Sequence, residues 1–278
     1  MTKYCYLNGK IIPQDKASIS LKDIGILRGY GVFEFLRTYN GKPFFSKEHF
    51  VRLRKSAKTL NLKISLSEKQ LISVIKKLLL KNKFKEAGIR IILTGGETID
   101  ELGVKYNKNL PTFFILVDEL NNLPKSFYQK GIKLITYEHQ REISQIKTIN
   151  YITAVKLQNL CKKKKAFDVL YTDKGFLLEV ATSNFFIFKK NILLTPKDNI
   201  LPGITRNLII KLAKDKFKIK ERNILLKELR LATEAFITST TKGILPVVKI
   251  DDRNIGNGKV GKNTKYLMSL FHQYTKSH

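Results

Sequence analysis

Lys147 stands in QIKTINYITAVK, with Ile146 and Ile149 as neighbours. An amine partly withdrawn from water loses its charge more readily and becomes nucleophilic, which suits capture of an aldehyde as a Schiff base. The chain holds 52 lysines and arginines, so a lysine between isoleucines is by itself as well explained by structure. Glu179, in LLEVATSNFF, ends an otherwise apolar strand. A carboxylate there is costly to bury without a partner. A protonated pyridine nitrogen is one partner, and any basic side chain is another. LPGITR places Gly203, Ile204 and Thr205 at a helix start, where unpaired N–H groups and a hydroxyl make an anion site. TSTTKG, residues 238–243, is a second hydroxyl-rich turn after a strand. The same threonines serve equally as caps. Arg52, in HFVRLRKSA, has the planar fork that clamps a phosphate bidentately, or is a helix surface charge. Taken together, an aldehyde-capturing lysine, a carboxylate for a ring nitrogen and phosphate-binding turns are the parts of a pyridoxal phosphate site.

These groups need elements to position them. YCYLNGKIIP reads as two strands about the turn Asn8-Gly9, and VFEFLRTYNGKPFF repeats that grammar about Asn40-Gly41. A helix follows over 47–60. A second opens at Ser67, where Gln70 completes a capping-box pattern before an apolar stripe of Leu71, Val74, Ile75 and Leu78. IRIILT and TFFILV read as buried strands. DELNNLPKS is polar with a proline and marks the domain boundary. Beyond it come strand GIKLITYE, a helix over 151–163, strands FDVLYT and FLLEVA, hairpin NFFIFKKNILLT and a helix after Pro202-Gly203. Strands AFITST and VVKID and a helix over 264–274 complete the chain. Strands and helices mix in both halves, which predicts an α+β chain of two domains: 1–118, a linker over 119–126, and 127–278.

Composition narrows the class. With 278 residues and 43% hydrophobic residues the chain can bury a sizeable core. No apolar run reaches the roughly 18 residues that span a bilayer. The start MTKYCYLNGKIIP lacks the apolar core of a signal peptide, and two cysteines give no disulfide framework, so the expected location is a reducing cytoplasm. The net charge of +29 attracts polyanions at low salt. Its basic residues are spread along the chain and interleave with apolar residues at helical spacing, and the longest run, KKKK at 162–165, falls at the polar end of a helix, so solvated faces explain them and no specific nucleic acid is expected. The four histidines lack metal-ligand spacing, and no metal is expected. GNGKVG at 256–261 fits a dinucleotide fingerprint, but it lacks a βαβ unit and the acidic residue about 20 positions on. It reads as a glycine loop before the last helix.

The order of RGYGVFEFLRTYNG, EHFVRLRKSA, KTINY, EVATSNFF, LPGITR and TSTTKGILPV resembles the class IV, fold-type IV pyridoxal-phosphate aminotransferases over nearly the whole chain. That family includes branched-chain aminotransferases, D-amino acid transaminases and aminodeoxychorismate lyase. The resemblance implies a small N-terminal α/β domain and a larger, β-barrel-like C-terminal domain with flanking helices. It assigns Lys147 as the Schiff-base and proton-transfer lysine, Glu179 to the pyridine nitrogen and Arg52 to the phosphate. Ile204, Thr205, Ser239 and Thr240 join Arg52 at the phosphate. Leu201 packs on the ring, Asn184 braces the Glu179 strand and Tyr151 reaches the ring hydroxyl. The substrate falls to Arg28, Phe33, Arg90 and Thr241. The family is dimeric, which implies that the loop bearing Arg28 enters the partner's active site.

Within the family the motifs diverge. Arg28 occupies a place where branched-chain enzymes typically carry tyrosine, whereas Arg90 matches an arginine of those enzymes. ETIDELGVKY lacks the R-x-H of the better-known D-amino acid transaminases. Two guanidinium groups near Phe33 suit a substrate held by its carboxylates better than a leucine pocket. The expected activity is therefore transamination from D-alanine or D-glutamate to 2-oxoglutarate. The alternatives are an L-branched-chain aminotransferase, then aminodeoxychorismate lyase. A nucleic-acid-binding protein on a transaminase scaffold is the reading of another class; the intact set Lys147, Glu179, Arg52 and Thr205 argues against it.

Overall fold

A computed structural model describes residues 2–277. The chain forms two compact units. The first holds residues up to Asn121 together with Ile146–Asn150; the second holds Asn122–Gln145 and Tyr151–Ser277.

The first unit is an antiparallel sheet with two helices on one face. Its strands are β1 (Tyr4–Leu7), β2 (Lys10–Pro13), β3 (Gly31–Tyr39), β4 (Lys42–Pro43), β5 (Ala87–Thr94) and β6 (Thr112–Glu119), in the order β2-β1-β6-β5-β3-β4. Its helices are α1 (Ile24–Arg28), α2 (Ser46–Thr59) and α3 (Glu68–Asn82). The Ser67–Gln70 capping box is present, with both reciprocal hydrogen bonds made. Alternation on β3 sends Val32 and Leu36 into the core with Leu53 of α2 and Leu71, Ile75 and Leu78 of α3. Phe33 and Phe35 stand on the other, partly open face.

The second unit begins with α4 (Lys125–Lys130), β7 (Ile132–Glu138), α5 (Ile152–Lys156), α6 (Gln158–Lys163), β8 (Asp168–Asp173) and β9 (Phe176–Val180). It continues with β10 (Asn184–Lys189), β11 (Ile192–Thr195), α7 (Ile204–Ala213), β12 (Lys218–Glu221) and β13 (Ile224–Leu225). β14 (Glu234–Ser239), β15 (Gly243–Ile250), β16 (Arg253–Asn254) and α8 (Lys262–Lys276) end it. The strands run β12-β11-β10-β14-β15-β7-β8-β9-β13, with β16 beside β15, in a mixed half-barrel sheet. Apolar residues follow one another along β8, β10 and β14 rather than alternating, because both faces are covered. Among the described residues no helix is long and apolar enough to cross a membrane.

Three local features depart from expectation. α1 and α4 are helical turns of five and six residues, too short to leave a periodic pattern. The helix expected over 151–163 is two, joined at Leu157. The lysine segment, expected within 127–278, packs with the first unit. There Phe33 N–H donates to Lys147 O at 2.9 Å and Ile149 N–H donates to Gly31 O at 3.1 Å, so 146–150 extends the edge of β3. GNGKVG does precede α8 as a loop. Its last glycine is the N-cap, and the Glu234 carboxylate accepts from the N–H of Asn263 and Thr264 at 3.1 and 2.7 Å. A Cβ on Gly261 would lie 2.0 Å from that carboxyl carbon. This helix start is filled by a side chain rather than open to a dinucleotide phosphate.

Candidate functional site

In the first unit the sequence places a carboxylate where only apolar groups belong. Glu34 alternates with Val32 and Leu36, so it points into the core and is 0% exposed. A carboxylate buried there needs strong partners. α2 supplies them from one stripe at helical spacing. Arg52 closes its fork on Glu34, Nε to Oε1 at 2.7 Å and Nη2 to Oε2 at 2.8 Å, and His49 Nδ1 lies 2.7 Å from Oε2. Burial pushes the Glu34 carboxyl up, yet the Arg52 charge and the hydrogen bonds from Arg52 and His49 overcome it and hold the group at about 2. Burial pushes His49 down. Glu34 opposes that shift, and the charges of Arg52 and Lys147 add to it. The guanidinium that the sequence suggested for a phosphate thus holds Glu34 through Nε and Nη2.

One turn further along the same stripe, Ser56 Oγ accepts the backbone N–H of Lys147 at 3.2 Å. α2 therefore fixes both the Glu34 cluster and the main chain of the lysine segment. The Lys147 side chain is half-buried, with Nζ 4.2 Å from the centre of the Phe33 ring. An aromatic face at that distance attracts an ammonium by roughly 0.5–2 kcal/mol. Phe33 faces Ile92 and Phe35 faces Arg90 across β3 and β5. The Arg90 guanidinium lies 5.4 Å from the Phe35 ring centre. Lys147, Phe33 and Arg90 thus share one sheet face. Arg28 does not join them. It ends α1, exposed, and donates Nη2 to Leu102 O at 2.7 Å.

In the second unit the expected cofactor residues gather at one end of the sheet. Glu179, on β9, is 6% exposed and takes two donors from Arg141 on Oε1, Nε at 3.0 Å and Nη2 at 2.6 Å. Its Oε2 accepts Leu201 N–H at 3.0 Å. Asn184 Nδ2 donates to Leu201 O at 2.8 Å, so both the N–H and the C=O of Leu201 are held. Gly203 must be glycine for packing: a Cβ there would sit 1.9 Å from Asn184 Oδ1. α7 starts at Ile204 with Gly203 as N-cap and no side-chain cap, which leaves its first-turn N–H groups to other partners. Thr205 lies buried in that turn. Asn184 pairs in register with Thr238, which brings the Ser239–Thr241 turn to the same end of the sheet. Ser239 and Thr241 hydroxyls lie 3.3 Å apart. Thr240 is half-buried between them, and Tyr151 is half-buried at the start of α5.

The donor set of the second unit fits an anion beside a ring. A helix start without a side-chain cap and three clustered hydroxyl residues suit a phosphate. A buried, cation-paired carboxylate suits a protonated ring nitrogen.

The model of the amino-transferase class IV family matches residues 31–250. This chain belongs to the class IV aminotransferases. It is similar, at 38% identity over 96% of this chain and 94% of the relative, to a Methanocaldococcus jannaschii protein that carries the name of a branched-chain-amino-acid aminotransferase. It is 31% identical to the D-alanine aminotransferase of Staphylococcus epidermidis, over 100% of this chain and 99% of that one. The crystal structure of a T.th. branched-chain amino acid aminotransferase complexed with N-(5'-phosphopyridoxyl)-L-glutamate superposes with a TM-score of 0.91 at 25% identity. That match covers 100% of this chain and 95% of that chain.

Against this class IV fold, sequence reasoning missed Glu34, His49, Ser56 and Arg141. For Glu34 the signal was present: a lone acid at an inward register of β3 requires a cation, and His49, Arg52 and Ser56 recur at helical spacing. Arg141 carried none, since its partner lies 38 residues away across a loop.

Proposed function

We propose that this class IV aminotransferase uses pyridoxal 5'-phosphate to move the amino group of D-alanine or D-glutamate to 2-oxoglutarate. The observation that carries the transaminase reading is Arg90, held over Phe35 on the sheet face that Lys147 and Phe33 share. A cation on that face recognises a carboxylate-bearing substrate, and the whole-length similarity to a D-alanine aminotransferase supports the D-amino acid class.

Pyridoxal phosphate, when bound, supplies an aldehyde that takes up the amino group and a ring that accepts the electron pair left when the α-proton departs. Lys147 would be the residue that holds the cofactor aldehyde, its Nζ standing over the Phe33 ring. The Lys147 Nζ would also serve as the base that holds and moves the substrate α-proton. Glu179, paired with Arg141 and Leu201 N–H, keeps the ring nitrogen protonated. Leu201, fixed through Asn184, packs on the ring, and Tyr151 serves the ring hydroxyl. The first-turn N–H groups of Ile204 and Thr205 bind the phosphate with Ser239 and Thr240. Arg52, oriented by Glu34, adds positive charge for it. Thr241 and Phe33 flank the substrate.

The protein acts as a homodimer in which Arg28 reaches the partner's site. Leu21, Ile26, Leu27, Ile99, Leu102, Val104 and Leu110 are exposed around α1 and the loop that Arg28 pins. So many exposed large apolar side chains in one region are characteristic of an interface. The cytoplasm suits the two free, buried cysteines.

Arg90→Met is expected to raise KM for D-glutamate and 2-oxoglutarate by roughly 10–100-fold, the scale of one hydrogen bond to a charged group. The kcat with D-alanine should change only a few-fold. Steady-state kinetics with both donors check this; equal effects on both would remove Arg90 from substrate recognition. The second reading is an L-branched-chain aminotransferase, favoured by the similarity to the Methanocaldococcus jannaschii protein.

A further inference from the structure

Lys242 follows the Ser239–Thr241 turn in sequence, but its side chain reaches away from it. Nζ donates to Thr182 Oγ1 at 2.9 Å and to Ser183 Oγ at 3.3 Å, in the turn that follows Glu179 on β9. Thr182 passes the bond on, donating Oγ1 to Asp168 Oδ2 at 3.0 Å. Asp168 is 5% exposed, and its other oxygen accepts Val169 N–H at 2.8 Å. Burial pushes the Asp168 carboxyl up, and the backbone bond, the Lys242 charge and Thr182 draw it back. Burial pushes the Lys242 amine down, and Asp168 opposes it. Each charge compensates the other through one hydroxyl. On the main chain, Tyr128 Oη donates to Lys242 O at 3.0 Å, which fixes the root of the side chain.

The place of this chain of bonds gives it a role. Backbone pairing of β10 with β14 ends at Asn184 and Thr238. Beyond that point the turn after Glu179 and the hydroxyl turn leave the sheet side by side, and the Lys242 side chain carries the link between them. We propose that Lys242 is a positioning residue that locks the hydroxyl turn to the Glu179 strand, so that the groups for the phosphate and for the ring nitrogen stay at a fixed separation. The proposal rests on the pyridoxal phosphate reading above. Two anchors at fixed spacing reward a ligand that bears both a ring nitrogen and a phosphate over one that bears the ring alone.

The test is an equilibrium titration of the full chain with pyridoxal phosphate and, separately, with pyridoxal, read by absorbance and fluorescence. The ratio of the two dissociation constants is the phosphate advantage. Lys242→Met should cut that advantage by roughly tenfold, the scale of one charge-assisted hydrogen bond. Thr182→Val should do so too, since it breaks the same chain without removing a charge. Lys242→Arg should restore the advantage to within a few-fold of wild type. An unchanged advantage in Lys242→Met overturns the proposal. So does an equal weakening of both ligands with a lowered thermal midpoint, which is the outcome of a purely structural role. A wild-type chain that binds neither ligand sinks the cofactor reading itself, and this control separates the two failures.

Discussion

Lys147→Ala is expected to abolish covalent attachment of pyridoxal phosphate and to cut turnover by roughly 10⁴-fold, the upper end for a positioned proton-transfer group. The residue has two duties in the proposed reaction, cofactor capture and α-proton transfer. Its main chain is fixed at both ends, N–H by Ser56 Oγ and C=O by Phe33 N–H. The side chain leaves that frame over the Phe33 ring. Alanine keeps both backbone bonds, so the fold of the segment should survive and the loss should be chemical. Borohydride reduction followed by intact mass and peptide mapping reads the attachment directly. The wild type should gain one cofactor mass on Lys147, and the variant none. Wild-type turnover in the variant would remove Lys147 from the mechanism.

The largest effect on stability is expected from Glu34→Ala, about 3–5 kcal/mol, because it leaves the Arg52 guanidinium buried without its counter-charge. The pH dependence follows from the same cluster. Glu34 has its carboxyl lowered from an ordinary 4.5 to about 2 by Arg52 and His49, against burial. A lowered carboxyl contributes stability that is fully present above 4.5 and is lost as pH falls towards about 2. His49 is lowered from 6.5, first by burial, so it too favours folding in its neutral form and loses its contribution as pH falls below 6.5. Both act in one direction. Wild-type stability should decline from about pH 6.5 downward, and the Glu34→Ala curve should be lower and flatter between pH 4.5 and 2. Urea unfolding across that range measures both features. A variant within 1 kcal/mol of wild type, with the same acid limb, would show that the cluster is not a closed charge unit.

What could be read from the residues alone was local. Ser67 and Gln70 declare the start of α3 because capping needs only neighbours three apart. The Asn8-Gly9 and Asn40-Gly41 turns declare hairpins because both asparagines adopt positive φ there, at 42° and 53°. Residues of the candidate site that sit at element ends, Glu179 and Gly203–Thr205, were also visible from their context. The partners were not. Glu34 finds Arg52 and His49 only when β3 packs on α2, and Arg141 finds Glu179 across a loop. The membership of Ile146–Asn150 in the first unit rests on an added edge to β3, which no local pattern announces. Arg52 is instructive in the other direction. Expected at a phosphate, it also carries Glu34 on Nε and Nη2, a carboxylate that cannot stay buried alone and that no local pattern paired with it.

The central claim is the substrate class, and a half-reaction tests it most directly. The cofactor-loaded protein is mixed with one amino acid and no acceptor, and conversion of the aldehyde form of the cofactor to its amine form is followed by absorbance. D-alanine, D-glutamate, L-leucine and L-glutamate are run side by side. The account predicts fast conversion with the two D-amino acids and little with L-leucine. Fast conversion with L-leucine and none with D-alanine would contradict it and make the chain a branched-chain enzyme.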